Sequence, residues 1–107
     1  MTDVTILQEA KVELWEAVAY YEDRALGLGL DFETEIERSV RTIAEYPERW
    51  PLRPDGTRRY LTHRFPYLVV YAYENGHVWI LAIARRPAYW RNRIREAEQD
   101  NPARRSR

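Results

Sequence analysis

The side chains in this sequence that could do chemistry are few, and most are basic. His63 and His77 are the only imidazoles, and there is no cysteine. Two histidines at no ligand-like spacing and no thiols argue against a metal centre and exclude disulfides. His77 follows Asn75-Gly76 and reads as an exposed residue beside a turn. His63 lies in a basic stretch and has the chemistry of a general base, although a lone histidine is more often structural. Gly27-Leu28-Gly29 precedes a helical pattern but follows no parallel strand, so it is not a phosphate loop. The carboxylates of the first half fall mainly on solvated helix positions without paired acid and base geometry. No cofactor is expected.

What remains is two basic clusters. Arg58, Arg59 and Arg64 lie on or beside a β-patterned stretch, and Arg85, Arg86, Arg91, Arg93 and Arg95 are interleaved with Tyr89 and Trp90. Arginine beside aromatic rings can hold phosphates and stack on bases. The same pattern also suits Tyr89 and Trp90 pinning a C-terminal segment to a sheet, with the arginines facing water. Sixteen of the seventeen bases are arginine, and the net charge of zero conceals a division. Residues 1–50 carry twelve acids and five bases, a balance of −7, and residues 51–95 carry two acids and nine bases, a balance of +7. A basic half implies an anionic partner, either nucleic acid or an acidic protein.

These residues must be positioned by a small scaffold. At 107 residues with 45% hydrophobic content, the chain is sized for one domain, over residues 1–100, with a disordered tail at 101–107. No apolar run is long enough to span a bilayer, and the first residues lack the pattern of a signal peptide. A cytoplasmic protein without membrane contact is therefore expected. Val4-Thr5-Ile6-Leu7 reads as a short strand. Leu7, Ala10, Leu14, Val18, Tyr21 and Ala25 recur at helical spacing, which predicts a helix over residues 8–25. Phe32, Ile36, Val40 and Ile43 predict a second helix that ends before Pro47, with Gly27-Leu28-Gly29 as the turn between them.

From Thr57 the period becomes two, which predicts strands at 57–64, 65–73 and 77–84. Asn75-Gly76 suits a type I′ hairpin turn. Regular pairing from that turn sets Tyr73 against Val78, Tyr71 against Ile80 and Val69 against Ala82. The opposite face then carries Leu68, Val70, Ala72, Trp79, Leu81 and Ile83. The expected fold class is α+β, an N-terminal helical hairpin on a twisted antiparallel β-sheet with a short C-terminal helical segment at 87–98. One hairpin covers one face, so the other needs a cover from the chain's own C-terminus, a second copy or another protein.

The order of features resembles the RelE/ParE family of bacterial type II toxins. The resemblance rests on Tyr20-Tyr21-Glu22, Gly27-Leu28-Gly29, Tyr46-Pro47, Arg58-Arg59-Tyr60-Leu61, Arg64-Phe65-Pro66-Tyr67, Val70-Tyr71, Ile80-Leu81-Ala82-Ile83-Ala84 and Arg86-Pro87-Ala88-Tyr89-Trp90. It extends from about Ile6 to Trp90. It implies a cognate antitoxin encoded nearby, binding Leu68, Val70, Ala72, Trp79, Leu81 and Ile83 while the helices cover Val69, Tyr71, Ile80 and Ala82. It also implies a target, either DNA gyrase or the ribosome, facing Arg58, Arg59, Arg64, Arg85, Arg86 and Trp90. RelE-like members cut mRNA with a basic and aromatic constellation. Here Leu68 occupies the place of one of its arginines, while Arg85 or Arg86 and Tyr89 are the candidates for the other catalytic places. The loop before Arg85 is also short and lacks a histidine. The resemblance therefore points to the ParE branch, which poisons gyrase without catalytic residues of its own. A ribosome-dependent endonuclease and a non-toxic, self-associating binding module are the alternatives.

Overall fold

The computed structural model describes residues 2–86. The expected helical segment at 87–98, the tail at 101–107, Tyr89 and Trp90 lie outside the described residues. The elements are β1 (Asp3–Ile6), α1 (Gln8–Arg24), α2 (Leu28–Glu45), β2 (Arg58–Leu61), β3 (Tyr67–Glu74) and β4 (His77–Arg85). The four strands form one sheet in the order β1-β4-β3-β2, and the two helices pack on one of its faces. The fold is α+β. The strands from β2 onward are antiparallel, but β1 joins the edge of β4 in parallel, from Asp3 opposite His77 to Ile6 opposite Ile80.

Gly27 is the only residue of the glycine turn that lies outside a helix, at φ 84°, where a side chain would be strained. Leu28 and Gly29 already belong to α2. Gly29 is present because α1 comes close: a Cβ there would lie 2.7 Å from the Val18 carbonyl oxygen. Gly27 offers no side chain to cap α2, and Glu22 of α1 does so instead. Its carboxylate accepts from the Gly27 and Gly29 N–H groups at 3.0 Å each, placing negative charge at the positive end of α2.

The core lies between the hairpin and the sheet. Val69, Tyr71, Val78 and Ile80 point into it and are fully buried. Phe32 packs on Tyr67 at 4.7 Å between ring centroids and on Tyr21 at 5.2 Å, and Phe65 closes the cluster on Tyr21 at 4.8 Å. Such offset and edge-on pairs suit the quadrupoles of the rings. The expected 57–64 strand is shorter because Thr62 leaves the ladder. Its hydroxyl donates to the Phe65 and Tyr67 carbonyls and closes a tight turn into β3. The hairpin turn is as expected, with Asn75 at φ 52° and Gly76 at φ 73°, both positive as a type I′ turn requires.

The expected register is corrected beyond this turn. Tyr73 pairs with Val78 and Tyr71 with Ile80, but Val70 pairs with Ala82 and Val69 with Ile83. Leu81 is an extra residue, a β-bulge, and it reverses the facing of everything after it. Ile83 therefore belongs to the core, at 2% exposure, and not to the open face. Ala82 takes the open-face place. The exchange buries the larger of two apolar side chains, worth about 2 kcal/mol at roughly 0.8 kcal/mol per buried methylene.

Candidate functional site

The face of the sheet opposite the helices carries Leu68, Val70, Ala72 and Glu74 from β3, and His77, Trp79, Ala82 and Ala84 from β4, with Leu81 at the bulge. Arg59 and Leu61 of β2 lie beside Val70 and Leu68, and Thr5 of β1 lies beside Trp79. No described element covers this face, and Trp79 is 37% exposed and Leu61 46%. Five of the six residues expected here, Leu68, Val70, Ala72, Trp79 and Leu81, are on it.

At the hairpin end the face deepens into a groove of about 340 Å³ lined by Leu7, Asp55, Gly56, Thr57, Ala72, Glu74, Trp79 and Leu81. Trp79 packs on His77, whose ring lies 4.5 Å away and whose Nε2 is 2.8 Å from the Thr5 hydroxyl. The other wall is the turn before β2. There the Asp55 carboxylate accepts from the Thr57 hydroxyl at 2.7 Å and the Thr57 N–H at 3.0 Å, and these bonds hold its pKa below the usual value. Asp55, Thr57 and Glu74 were not anticipated as part of a site. The Asp55-Gly56 turn signal places a loop, but only the pairing of β2 with β3 brings that loop over the sheet.

The arginines expected to face a target do not form one patch. Arg58 points to the helix side beside Tyr71, and its Nη1 donates to the Trp50 carbonyl at 2.7 Å and the Glu48 carbonyl at 3.1 Å. It ties down the loop after α2, a structural task. Arg64 forms an exposed ion pair with Asp31 at 3.2 Å and lies over the Phe65 ring. Arg85 pairs with Tyr67 and turns towards α1, its guanidinium 5.1 Å from the Tyr20 ring centroid. Arg86 is anchored by its N–H on the Pro66 carbonyl. Arg59 alone of the β2 pair stands on the open face, and the Nε atoms of both Arg58 and Arg59 are buried without a hydrogen-bond partner among the described residues.

Arg85 borders a separate shallow cleft lined by Glu13, Glu16, Ala17, Tyr20, Tyr67 and Ile83. Burial raises the pKa values of Tyr67 and of neighbouring Tyr21. Leu68 lies opposite Ala84 on the other side of the sheet, an apolar pair that cannot stabilise phosphate charge. Among the described residues no group of acids and histidines could hold a metal ion. No helix among them is long and apolar enough to cross a membrane.

Three acids of the helical half also have tasks that their spacing did not reveal. Besides Glu22, Glu13 accepts the Ile83 N–H at 2.9 Å, on β4 beyond the end of β1. Glu35, only 6% exposed, accepts the His63 N–H at 2.9 Å, while the His63 ring lies 3.2 Å from the Tyr60 hydroxyl. His63 thus belongs to a structural network at the turn between β2 and β3.

Comparisons with known proteins agree with this geometry. The family model described as ParE toxin of type II toxin-antitoxin system, parDE, matches residues 4–87. Among curated proteins no relative matches. Among solved structures the chain is similar to one described as the chromosomal ParDE TA system from P. aeruginosa, with a TM-score of 0.70 and 20% identity. That match covers 81% of this chain and 98% of the other, and at such identity it speaks to the fold. With the family match running from β1 to just past the end of β4, this chain belongs to the ParE toxin family of type II toxin–antitoxin systems.

Proposed function

We propose that this chain arrests bacterial growth by binding DNA gyrase in the cytoplasm, and that a cognate antitoxin encoded beside it neutralises it by covering the open face of the sheet. The observation that carries the antitoxin half of this reading is the uncovered apolar face centred on Trp79, with Leu68, Val70, Ala72, Leu81 and Ala82 around it. Ile83 is no longer among the antitoxin contacts. An exposed contiguous apolar surface of this kind favours a protein partner.

The choice of gyrase over RNA cleavage is supported by the dispersal of the arginines. Arg58 is committed to loop carbonyls, Arg85 turns to Tyr20 on the helix side, and Leu68 faces Ala84. On the open face Arg59 lies beside Val70 and His77 beside Glu74, four positions further along β3, so the cation and the imidazole stand apart, which favours a toxin that acts by holding its target.

Inducible expression in a bacterium, with and without the neighbouring gene, tests this. The expected result is growth arrest without the neighbour, accompanied by DNA breaks and an SOS response, and relief when the neighbour is present. Transcript ends aligned with codons would instead establish a ribosome-dependent endonuclease. Unimpaired growth together with a stable homodimer would establish a non-toxic self-associating module.

A further inference from the structure

The open face is not uniform along the strands. At the hairpin end, Trp79 on β4, Glu74 on β3 and Asp55 on the loop before β2 line one groove, so two carboxylates share it with the indole. Four residues along β3 from Glu74, Val70 lies beside Arg59, a cation on the open face. The surface is therefore acidic at one end, apolar across Val70, Ala72 and Leu81, and basic at Arg59. At about 3.4 Å per residue, the two charged ends lie ~14 Å apart along the strand.

We infer that the antitoxin segment covering this face carries its charges in a fixed order: a basic side chain in the groove shared by Trp79, Glu74 and Asp55, apolar side chains in the middle, and an acidic side chain at Arg59. A cation there gains both from the carboxylates and from the face of the indole. On a helical antitoxin segment the two charges stand about nine residues apart at 1.5 Å per residue. On an extended segment they stand about four apart. This inference rests on the antitoxin reading above and adds the charge order of the bound segment.

The test uses the full chain and the protein encoded by the adjacent reading frame, titrated at low and high salt. The variants are Trp79→Ala, Glu74→Lys and Arg59→Glu, each checked for an unchanged circular dichroism spectrum and melting point. Glu74→Lys and Arg59→Glu should each weaken binding about tenfold at low salt, with the loss shrinking as salt rises. Trp79→Ala should weaken it about thirtyfold at both salts, as loss of a central aromatic anchor does. If Trp79→Ala weakens binding while both charge reversals bind like the native chain, the charge order is wrong but the face is right. If none of the three matters, the antitoxin binds elsewhere. If the neighbouring protein does not bind the native chain at all, the toxin–antitoxin reading falls and this inference with it. If the isolated chain is a dimer that Glu74→Lys dissociates, the face belongs to a second copy and the inference is overturned.

Discussion

The two faces of the sheet are made of much the same residue types but have opposite fates. On the helix side Val69, Tyr71, Val78 and Ile80 are fully buried. On the other side Leu68, Val70, Ala72 and Leu81 are half-buried, and Trp79 is 37% exposed. Apolar alternation in a strand therefore does not distinguish core from interface. What distinguishes them is the cover, and this hairpin has width for one face only. The polar groups divide in the same way. On the core side Glu13 and Glu35 are used up by backbone N–H groups, and Arg58 by backbone carbonyls. On the open side Asp55 holds only its own turn, and the Arg59 side chain donates no hydrogen bond among the described residues, whereas Arg58 donates from Nη1 and leaves its Nε without a partner there. One face is finished by the chain itself, and the other has chemistry to spare.

The sharpest way to break this contrast is to truncate one aromatic on each face. Tyr71→Ala should cost about 3–5 kcal/mol in denaturant-measured stability, because it empties the core and leaves the Pro47 carbonyl without the 2.8 Å hydrogen bond from the Tyr71 hydroxyl. Trp79→Ala should cost less than about 1 kcal/mol, since this side chain packs on only one side. Equal losses would mean that the open face is part of the core.

Tyr71 also gives the contrast a pH signature. Burial pushes its pKa up to about 12, against an ordinary value of 10.0. Below about pH 10 both folded and unfolded chains keep this proton, so its contribution to stability is fully present. Between about 10 and 12 only the unfolded chain releases it, so stability should fall as pH rises through that window. Tyr71→Phe should flatten this part of an alkaline unfolding curve monitored by circular dichroism.

Smaller losses should mark the contacts that hold the hairpin and its loops in place. Gly29→Val should cost about 1–3 kcal/mol, since the new Cβ meets the rigid Val18 carbonyl and the helices must separate. Glu35→Ala should cost about 1–2 kcal/mol by leaving the His63 N–H without its acceptor, and Glu35→Gln should restore part of that in thermal melts. Smallest of all, Arg64→Ala should change stability by no more than about 0.5 kcal/mol. The Asp31 pair is exposed on both sides and screened by solvent. A large loss there would show the motif arginine to be a core contact.

Much of this architecture was legible in the residues. The two helical stripes, the break before Pro47 and the Asn75-Gly76 turn are local signals, and each produced its element within a few residues. The parallel placement of β1 was not legible, because four β-branched and aliphatic residues carry no mark of direction. The register beyond Ile80 failed for a different reason. Alternation counted from the turn assumes one residue opposite one, and a bulge breaks that count. Its one visible trace is the spacing of three between Ile80 and Ile83, the large residues that both seek the core. The separate fates of Arg58 and Arg59 were not drawn from the sequence, although neighbours on a strand face opposite ways. Arg58 and Arg59 are adjacent, yet one serves the loop behind the sheet and the other stands in front of it.

The bulge at Leu81 makes β4 two strands in different phase, joined by one residue that no partner on β3 requires. Deletions along β4 are thus far from equivalent. Losing any paired residue would turn part of the strand inside out relative to the helices. Losing Leu81 would bring Ile80 and Ala82 into an unbroken ladder with both halves still in phase. The fold can therefore shed this one residue and keep its core, with the change confined to the twist and the wall of the groove. That makes Leu81 a place where the shape of the open face can change without disturbing what lies beneath it.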